Sequence, residues 1–173
     1  MGDADLQQAV REDLQWEPRV DGAHGAPSAG FLHIVVGYDG SAPAGRALDA
    51  EVGLLRGRAG CIAVVWVAHL SSTVMLSADA IVEMEAAFDE LAPELRAQAA
   101  GQLRGREAHW EFQRRQGPVA GELIAVAAGL GGARPGQGVV IVIGSSSHAS
   151  HRVVGSVAVS LARHSPVPVV IVP

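Results

Sequence analysis

The chain has 173 residues, of which 49% are hydrophobic and 18% charged, so it is long enough for one well-packed domain and too apolar to be disordered. A formal net charge of -5 argues against nucleic acid or an anionic membrane as a partner, because such binding normally needs a basic surface. A single cysteine, Cys61, excludes an internal disulfide, and no apolar run is long enough to span a membrane, so we predict a cytoplasmic protein.

Residues 1–30 differ in character from the rest of the chain. They are polar at first and then rich in Gly, Ala and Pro, and they lack the basic start and apolar core of a secretory signal. This composition predicts a flexible N-terminal extension over residues 1–30 and one folded domain over residues 31–173. Trp16 is interpreted as an exposed side chain of the extension; the alternative is that it anchors the extension on a surface.

From residue 31 onward, short apolar runs alternate with helical patterns. The connections are short and carry no hairpin signal, which predicts a parallel sheet with helices on both faces, a doubly wound α/β fold. The strands are predicted within residues 31–40, 61–70, 109–117, 139–144 and 167–172, and the helices over residues 42–58, 79–104, 118–130 and 156–165.

Three of these elements contain residues that predict a helix cap, a helix break or a position at the edge of the sheet. Asp79 is the candidate N-cap of the long helix, and Pro93 predicts a kink or a break within it. The alternating polarity of residues 109–117 is typical of a strand at or near a sheet edge. Residues 167–172 predict an apolar edge strand, which favours pairing with a second copy of the chain.

Two loops are predicted to meet at the carboxyl ends of the strands, where ligands bind in doubly wound folds. They are residues 37–41 after the first strand and residues 144–155 after the fourth. The helix that follows the second loop offers free backbone N–H groups and the positive end of its dipole. Ser145, Ser146, Ser147 and Ser156 add hydroxyl donors, and Arg152 can complement the charge of an anion. This pattern favours a phosphate site; the alternative is an ordinary turn with an N-cap.

Asp39 ends the first strand at the same edge. Its carboxylate does not favour phosphate, but it can accept hydrogen bonds from ribose hydroxyls or an adenine amine. The alternative is a purely structural role, as a turn residue or as the cap of the helix that begins near residue 42.

Segments of this sequence resemble the universal stress protein (UspA-like) family. They are HIVVGYDGS at residues 33–41, VVWVAH at residues 64–69, and VVIVIGSSS with GSVAVSLARHSPVPVVIV within residues 139–172. The resemblance covers residues 31–173 and implies a five-stranded sheet in the order 3-2-1-4-5 and a homodimer. It also implies ATP, with or without Mg²⁺, at the carboxyl ends of the strands.

In the nucleotide-binding branch of this family, adenine and ribose meet the aspartate after strand one and a backbone position near the end of strand two. The triphosphate lies on the motif G-x2-G-x9-G-[S/T]. The resemblance, with the added hydroxyl donors, therefore implies a nucleotide site made by Asp39, Val67, Gly144, Ser145, Ser147, Gly155, Ser156 and Val157.

The phosphate motif departs from the family pattern at one point. Ser147 stands where the family has its middle glycine, and seven residues instead of nine separate it from Gly155. Two functions therefore stay open. One is an ATP-binding stress-response regulator that acts through ligand-dependent partner or dimer interactions. The other is a nucleotide-independent dimeric interaction module with a degenerate phosphate loop.

Other chemistries receive little support from the sequence. His148 and His151 have no Cys or carboxylate beside them, so we predict no metal site. The chain contains no lysine and no G-x4-G-K-[S/T] motif, and His148 replaces the last glycine of a G-x-S-x-G hydrolase turn. We therefore predict no catalytic residues, with slow ATP hydrolysis as a weaker alternative.

Overall fold

The computed structural model describes residues 30–55, 58–69, 78–106, 108–131, 138–145 and 155–173. Strands and helices alternate along these residues. The strands are β1 (Leu32–Gly37), β2 (Gly60–Ala68), β3 (His109–Gln116), β4 (Gly138–Gly144) and β5 (Val169–Val172), and the helices are α1 (Ala42–Leu55), α2 (Ala78–Leu103), α3 (Val119–Gly131) and α4 (Ser156–His164).

All five strands are parallel and lie in the order β3-β2-β1-β4-β5. This confirms the doubly wound α/β fold, its strand order and the edge position of β3. Helices α1 and α2 cover one face of the sheet, and α3 and α4 cover the other. Because β1 is buried from both sides, its residues Ile34, Val35 and Val36 are all apolar and fully buried instead of alternating in polarity.

Helix α2 contradicts its predicted N-cap, and at Pro93 it shows no break. Asp79 lies inside the first turn and is not the N-cap, since the helix already begins at Ala78. The helix also runs through Pro93 without a break, although proline removes one backbone hydrogen bond. Phe88 before the proline and Leu95 after it pack on the same core cluster, so burial on both sides holds the helix together.

Helix α1 is described as far as Leu55; residues 56–57 of its predicted range lie outside the described residues, and Arg58 is not helical. Among the described residues, no helix combines the length and apolar character needed to cross a membrane. The same residues contain no group of three or more His, Cys, Asp or Glu placed to hold a metal ion.

One carboxylate is buried in the core-facing side of α1. Glu51 is 0% exposed, and its Oε1 accepts a hydrogen bond from Arg106 Nη1 at 3.4 Å. Arg106 also pairs with the exposed Asp49 at 2.7 Å, so it joins the end of α2 to α1. The other oxygen, Glu51 Oε2, is buried and has no hydrogen-bond partner within the described part of the chain. Burial raises the pKa of Glu51 to about 7, and the charge of Arg106 offsets only part of that rise.

We predict that Glu51→Gln removes a pH dependence of stability. Because the folded-state pKa of Glu51 is raised, the folded protein loses stability as pH rises from about 4.5 through about 7. Between pH 5 and pH 8, the free energy of unfolding should fall by about 1–2 kcal/mol more in the wild type than in Glu51→Gln, a value discounted for the partly exposed Arg106. Urea denaturation at several pH values measures this difference.

The matched control is Asp49→Asn, which removes the exposed partner of Arg106 and leaves the buried carboxylate in place. This variant should keep most of the wild-type pH dependence of stability, because the charge of Asp49 is the smallest of the causes that act on the pKa of Glu51. If the free energy of unfolding changed equally with pH in the wild type and in Glu51→Gln, Glu51 would not titrate in this range.

Candidate functional site

A cavity of about 570 Å³ opens where β1, β2 and β4 end. Three of its lining residues mark that edge: Gly37 is the last residue of β1, Val67 is next to last in β2, and Gly144 is the last of β4. The helices that follow β1, β3 and β4 also contribute residues to the lining. The cavity therefore lies at the carboxyl edge of the sheet, where ligand sites of doubly wound folds are found.

The structure brings seven of the eight predicted site residues together along this cavity. They are Asp39, Val67, Gly144, Ser145, Gly155, Ser156 and Val157. The eighth, Ser147, lies outside the described residues, as do His148 and His151. A place on the cavity wall does not by itself show that a residue binds a ligand. The binding role of each residue stays a prediction.

Asp39 shapes the turn that leads from β1 into α1. Its Oδ1 accepts a hydrogen bond from the backbone N–H of Ser41 at 3.0 Å, and Ser41 Oγ accepts one from the N–H of Ala44 at 3.3 Å. Ser41 therefore caps the helix, and the alternative that Asp39 is the cap is wrong. Among the described residues, Asp39 Oδ2 has no hydrogen-bond partner. One carboxylate oxygen is thus committed to the turn and one is open to a ligand.

Gly40 fixes the direction in which this turn leaves the strand. Its φ is +79°, in the left-handed region that favours glycine, and a Cβ there would lie 2.6 Å from Leu95 Cδ2. Helix α2 thus packs against the turn that carries Asp39. The left-handed backbone of Gly40 and the neighbouring Leu95 side chain therefore both favour glycine in the turn that carries Asp39.

Gly144 is required by a close approach at the end of β4. A Cβ at this position would lie 2.3 Å from the carbonyl oxygen of Pro43 in the first turn of α1. The match of Gly144 to the phosphate motif therefore has a structural reason that needs no ligand. This close packing fixes the end of β4 against the start of α1, and both Gly144 and Pro43 line the cavity.

Helix α4 meets the cavity at its N-terminus. Its N-cap is Gly155, with φ −61° and ψ 158°, and none of the side chains that the structure describes caps the helix. The first backbone hydrogen bond of the helix joins Val159 N–H to the Gly155 carbonyl at 3.1 Å. The N–H groups of Ser156, Val157 and Ala158 consequently have no acceptor within the helix. Uncapped donors and the positive dipole end make this part of the cavity suitable for an anion.

The walls of the cavity are mainly apolar and aromatic. Tyr38 and Trp66 contribute rings, and Val119 and Leu123 come from α3. Burial, and then the nearby Asp39 carboxylate, raises the pKa of the Tyr38 phenol, which donates a hydrogen bond to Gln102 Oε1 at 3.5 Å. Apolar walls with a few polar groups at one end are typical of small-molecule sites.

Sequence reasoning missed the contribution of α3 to the wall. A helix that follows a strand of a parallel sheet begins at the carboxyl edge, so its first inward-facing residues are wall candidates. Val119 and Leu123 occupy those positions in α3. Pro43 was also missed, because only the packing of α1 on β4 brings it to the cavity.

Comparison with known proteins identifies the family. Residues 30–173 match the universal stress protein family. The chain belongs to this family. No match is found among the curated proteins. Among solved structures, a universal stress protein UspA from Lactobacillus plantarum is similar, with a TM-score of 0.66 and 19% identity over 84% of this chain and 99% of that one.

Two further similar structures contain adenine nucleotides. One is a universal stress protein in complex with cAMP, with a TM-score of 0.56 and 21% identity over 84% of this chain and 99% of that one. The other is a universal stress protein family protein from Arabidopsis thaliana with AMP bound, with a TM-score of 0.50 and 14% identity over 82% of this chain and 90% of that one. At these identities the likeness shows a shared fold.

We predict that Gly144→Ala destabilises the protein even without a ligand. The added methyl group would overlap the Pro43 carbonyl, and overpacking of this kind costs about 1–3 kcal/mol. The control is Gly53→Ala in α1, where a Cβ meets nothing within 4 Å and alanine should stabilise the helix by about 0.5–1 kcal/mol. Urea denaturation of both variants measures these effects, and equal stabilities for Gly144→Ala and the wild type would contradict the packing role.

Proposed function

We propose that this universal stress protein binds an adenine nucleotide in the cavity at the carboxyl edge of its sheet. The observation that carries the proposal is the junction of that cavity with the uncapped N-terminus of α4, beside the open oxygen of Asp39. The protein acts in this proposal as a stress-response regulator, in which the bound nucleotide changes partner or dimer interactions.

The cavity offers separate surroundings for the two ends of a nucleotide. Tyr38, Trp66 and Val67 provide the apolar surface that a purine needs, and the backbone of Val67 provides polar groups near the end of β2. Asp39 Oδ2 can accept a hydrogen bond from a ribose hydroxyl. The proposed phosphate contacts are the backbone N–H groups that start α4 and the hydroxyls of Ser145, Ser147 and Ser156.

Two similar structures support the choice of adenine over other ligands, because one contains cAMP and the other AMP. The family resemblance implies ATP, with or without Mg²⁺, and this identity stays a prediction. Cytoplasmic location also stays a prediction. No residue is assigned to catalysis: among the described lining residues Asp39 is the one carboxylate, and its Oδ1 is committed to a turn.

Gly155→Asp tests the phosphate site without weakening the helix. An aspartate at the N-cap would satisfy the free N–H groups of α4 and should stabilise the protein by a few tenths of a kcal/mol. The same carboxylate would occupy and repel the phosphate position, so we expect adenine-nucleotide affinity to fall at least about tenfold. Isothermal titration calorimetry with AMP, together with thermal melting, measures both effects.

The control is Ala97→Glu, an exposed position of α2 that receives the same added charge. It should leave the affinity unchanged within about twofold, since exposed charges at a distance are screened. Unchanged nucleotide affinity in Gly155→Asp would contradict the proposed phosphate position. Absence of binding in the wild type would contradict the proposed function and leave the nucleotide-independent dimeric module.

A homodimer through residues 167–172 is the second part of the proposal. β5 is an edge strand of the described sheet, and its Ile171 is 39% exposed in the single chain. An apolar edge strand with free backbone groups favours pairing with a second copy.

We predict that Ile171→Lys weakens the dimer by at least about tenfold, because a charge at the edge opposes burial there. Sedimentation velocity over a range of protein concentrations measures the dimer affinity. The control is Val82→Lys, which replaces another exposed aliphatic residue on α2 and should leave the dimer intact. A monomeric wild type, or equal loss in both variants, would contradict this interface.

A further inference from the structure

The solvent-facing side of helix α3 is apolar. The one charged side chain of this helix, Glu122, is partly buried and pairs with Arg115 at 3.0 Å. The exposed residues of the helix, called here the outer face of α3, are Gly121, Ala125, Ala128 and Gly129. A surface helix normally carries polar residues on the side away from the core, and a helix that is apolar on all sides is normally buried. The outer face therefore has the composition of a surface that another element covers.

The other three helices of the domain expose charged side chains. Arg46 is exposed on α1, Glu83 on α2 and Arg163 on α4. Packing within the described residues does not explain the outer face of α3, because a Cβ at Gly129 would meet none of their atoms within 4 Å. Glycine lowers the stability of a helix at such a position, so its presence favours contact with a further element.

The N-terminal extension enters the domain through a strand on which α3 packs. Residues 1–29 lie outside the described residues, and the chain continues from them into β1 at Leu32. Leu123 and Ala127 of α3 belong to the same buried cluster as Val35 of β1. A helix that connects parallel strands runs back from their carboxyl edge to their amino edge. α3 therefore ends at the edge of the sheet where the extension joins β1.

A short stretch of the extension has the pattern of an amphipathic helix. Its apolar side chains recur every four residues, at Leu6, Val10 and Leu14. That spacing places them in one ridge along a helix. Asp5, with a glutamine three residues later, is typical of a helix N-terminus, and Pro18 is typical of a position beyond a helix end. An isolated helix of this length is marginal in water, so it would form only where its ridge packs on another surface.

The outer face of α3 suits this ridge in size and in charge. Small side chains let the axes of two helices approach closely, so that larger aliphatic side chains fill the space between them. The stretch also contains Glu12 and Asp13, which an uncharged surface does not repel. On α2, by contrast, the exposed Val82 lies beside the exposed carboxylate of Glu83. Of these two surfaces, the outer face of α3 is therefore the better match.

We propose that residues 6–16 form a helix that docks on the outer face of α3 within the same chain. The extension joins β1 at the edge where α3 ends, so docking within one chain has the advantage of a high effective concentration. The dimer proposed through β5 leaves this surface open, because β5 pairs along the edge of the sheet and the outer face points away from the sheet. The proposal develops the alternative in which Trp16 anchors the extension, and it does not depend on nucleotide binding.

Hydrogen exchange of the full chain, followed by mass spectrometry, tests the docking. The amides of residues 6–16 should exchange at least about tenfold more slowly than in a free peptide of residues 1–20, because docking protects their helical hydrogen bonds. In Ala125→Glu a charge would lie against the aliphatic ridge, so the slow exchange should be lost. Ala125 is exposed and glutamate is a good helix former, so α3 itself should stay folded. The control is Ala97→Glu at an exposed position of α2, which should keep the slow exchange.

A disulfide trap tests which surfaces meet. One variant carries Val10→Cys and Ala125→Cys, together with Cys61→Ser so that the native thiol cannot react. Under mild oxidation this pair should form a cross-link within the chain, at a rate that dilution of the protein does not change. In the control variant Ala97→Cys replaces Ala125→Cys, and its cross-link should form at least about tenfold more slowly, because the two Cα atoms would stay too far apart for a disulfide.

Each of four results would overturn the proposal. Exchange of residues 6–16 as fast as in the free peptide would show that no docked helix forms. Slow exchange that survives Ala125→Glu, or equal cross-linking in the two cysteine pairs, would place the helix on a different surface. Protection or cross-linking that falls on dilution would assign the outer face to a second copy of the chain. Slow exchange that only Ala125→Glu removes, with a cross-link independent of dilution, would support docking within one chain.

Discussion

The site depends on the position of β1 at the centre of the sheet. β1 pairs with β2 on one side and β4 on the other, and the chain continues from β1 into α1 on one face and from β4 into α4 on the opposite face. The two connections therefore part at the carboxyl edge and leave a crevice between them. Burial of β1 from both faces fixes this arrangement, since its apolar residues could not be exposed without a large loss of stability.

The two glycines at the rim have different physical roles. Gly144 is required by the Pro43 carbonyl, so the packing of β4 on α1 demands a residue without a side chain. Gly155 has an ordinary extended backbone, with φ −61° and ψ 158°, so its dihedral angles do not require glycine. A glycine at an N-cap also leaves the first helical N–H groups without a partner, at a cost of a few tenths of a kcal/mol relative to a capping residue. The backbone angles thus give no reason for glycine at position 155, whereas the proposed phosphate contact does.

The fold could be predicted from the sequence because apolar runs and helical patterns alternate along residues 31–173 and imply parallel strands. Local signals were less reliable where tertiary packing competes with them. Pro93 predicted a kink or a break, and of the two the break is absent, because Phe88 and Leu95 are packed on the same core. The predicted site residues came together because they end strands or begin a helix, positions that the element order alone fixes at one edge. Val119 was missed, although its place in the first turn of a helix that follows a strand made it a candidate for the cavity wall.

Amide NMR spectra of the full chain during a titration with AMP test the central claim most directly. The account predicts the largest chemical-shift changes at Gly155, Ser156 and Val157, with further changes at Asp39 and Val67, since these residues line one cavity from three different elements. Shifts confined to residues outside the cavity, or no shifts at millimolar AMP, would contradict the assignment of this cavity as a nucleotide site.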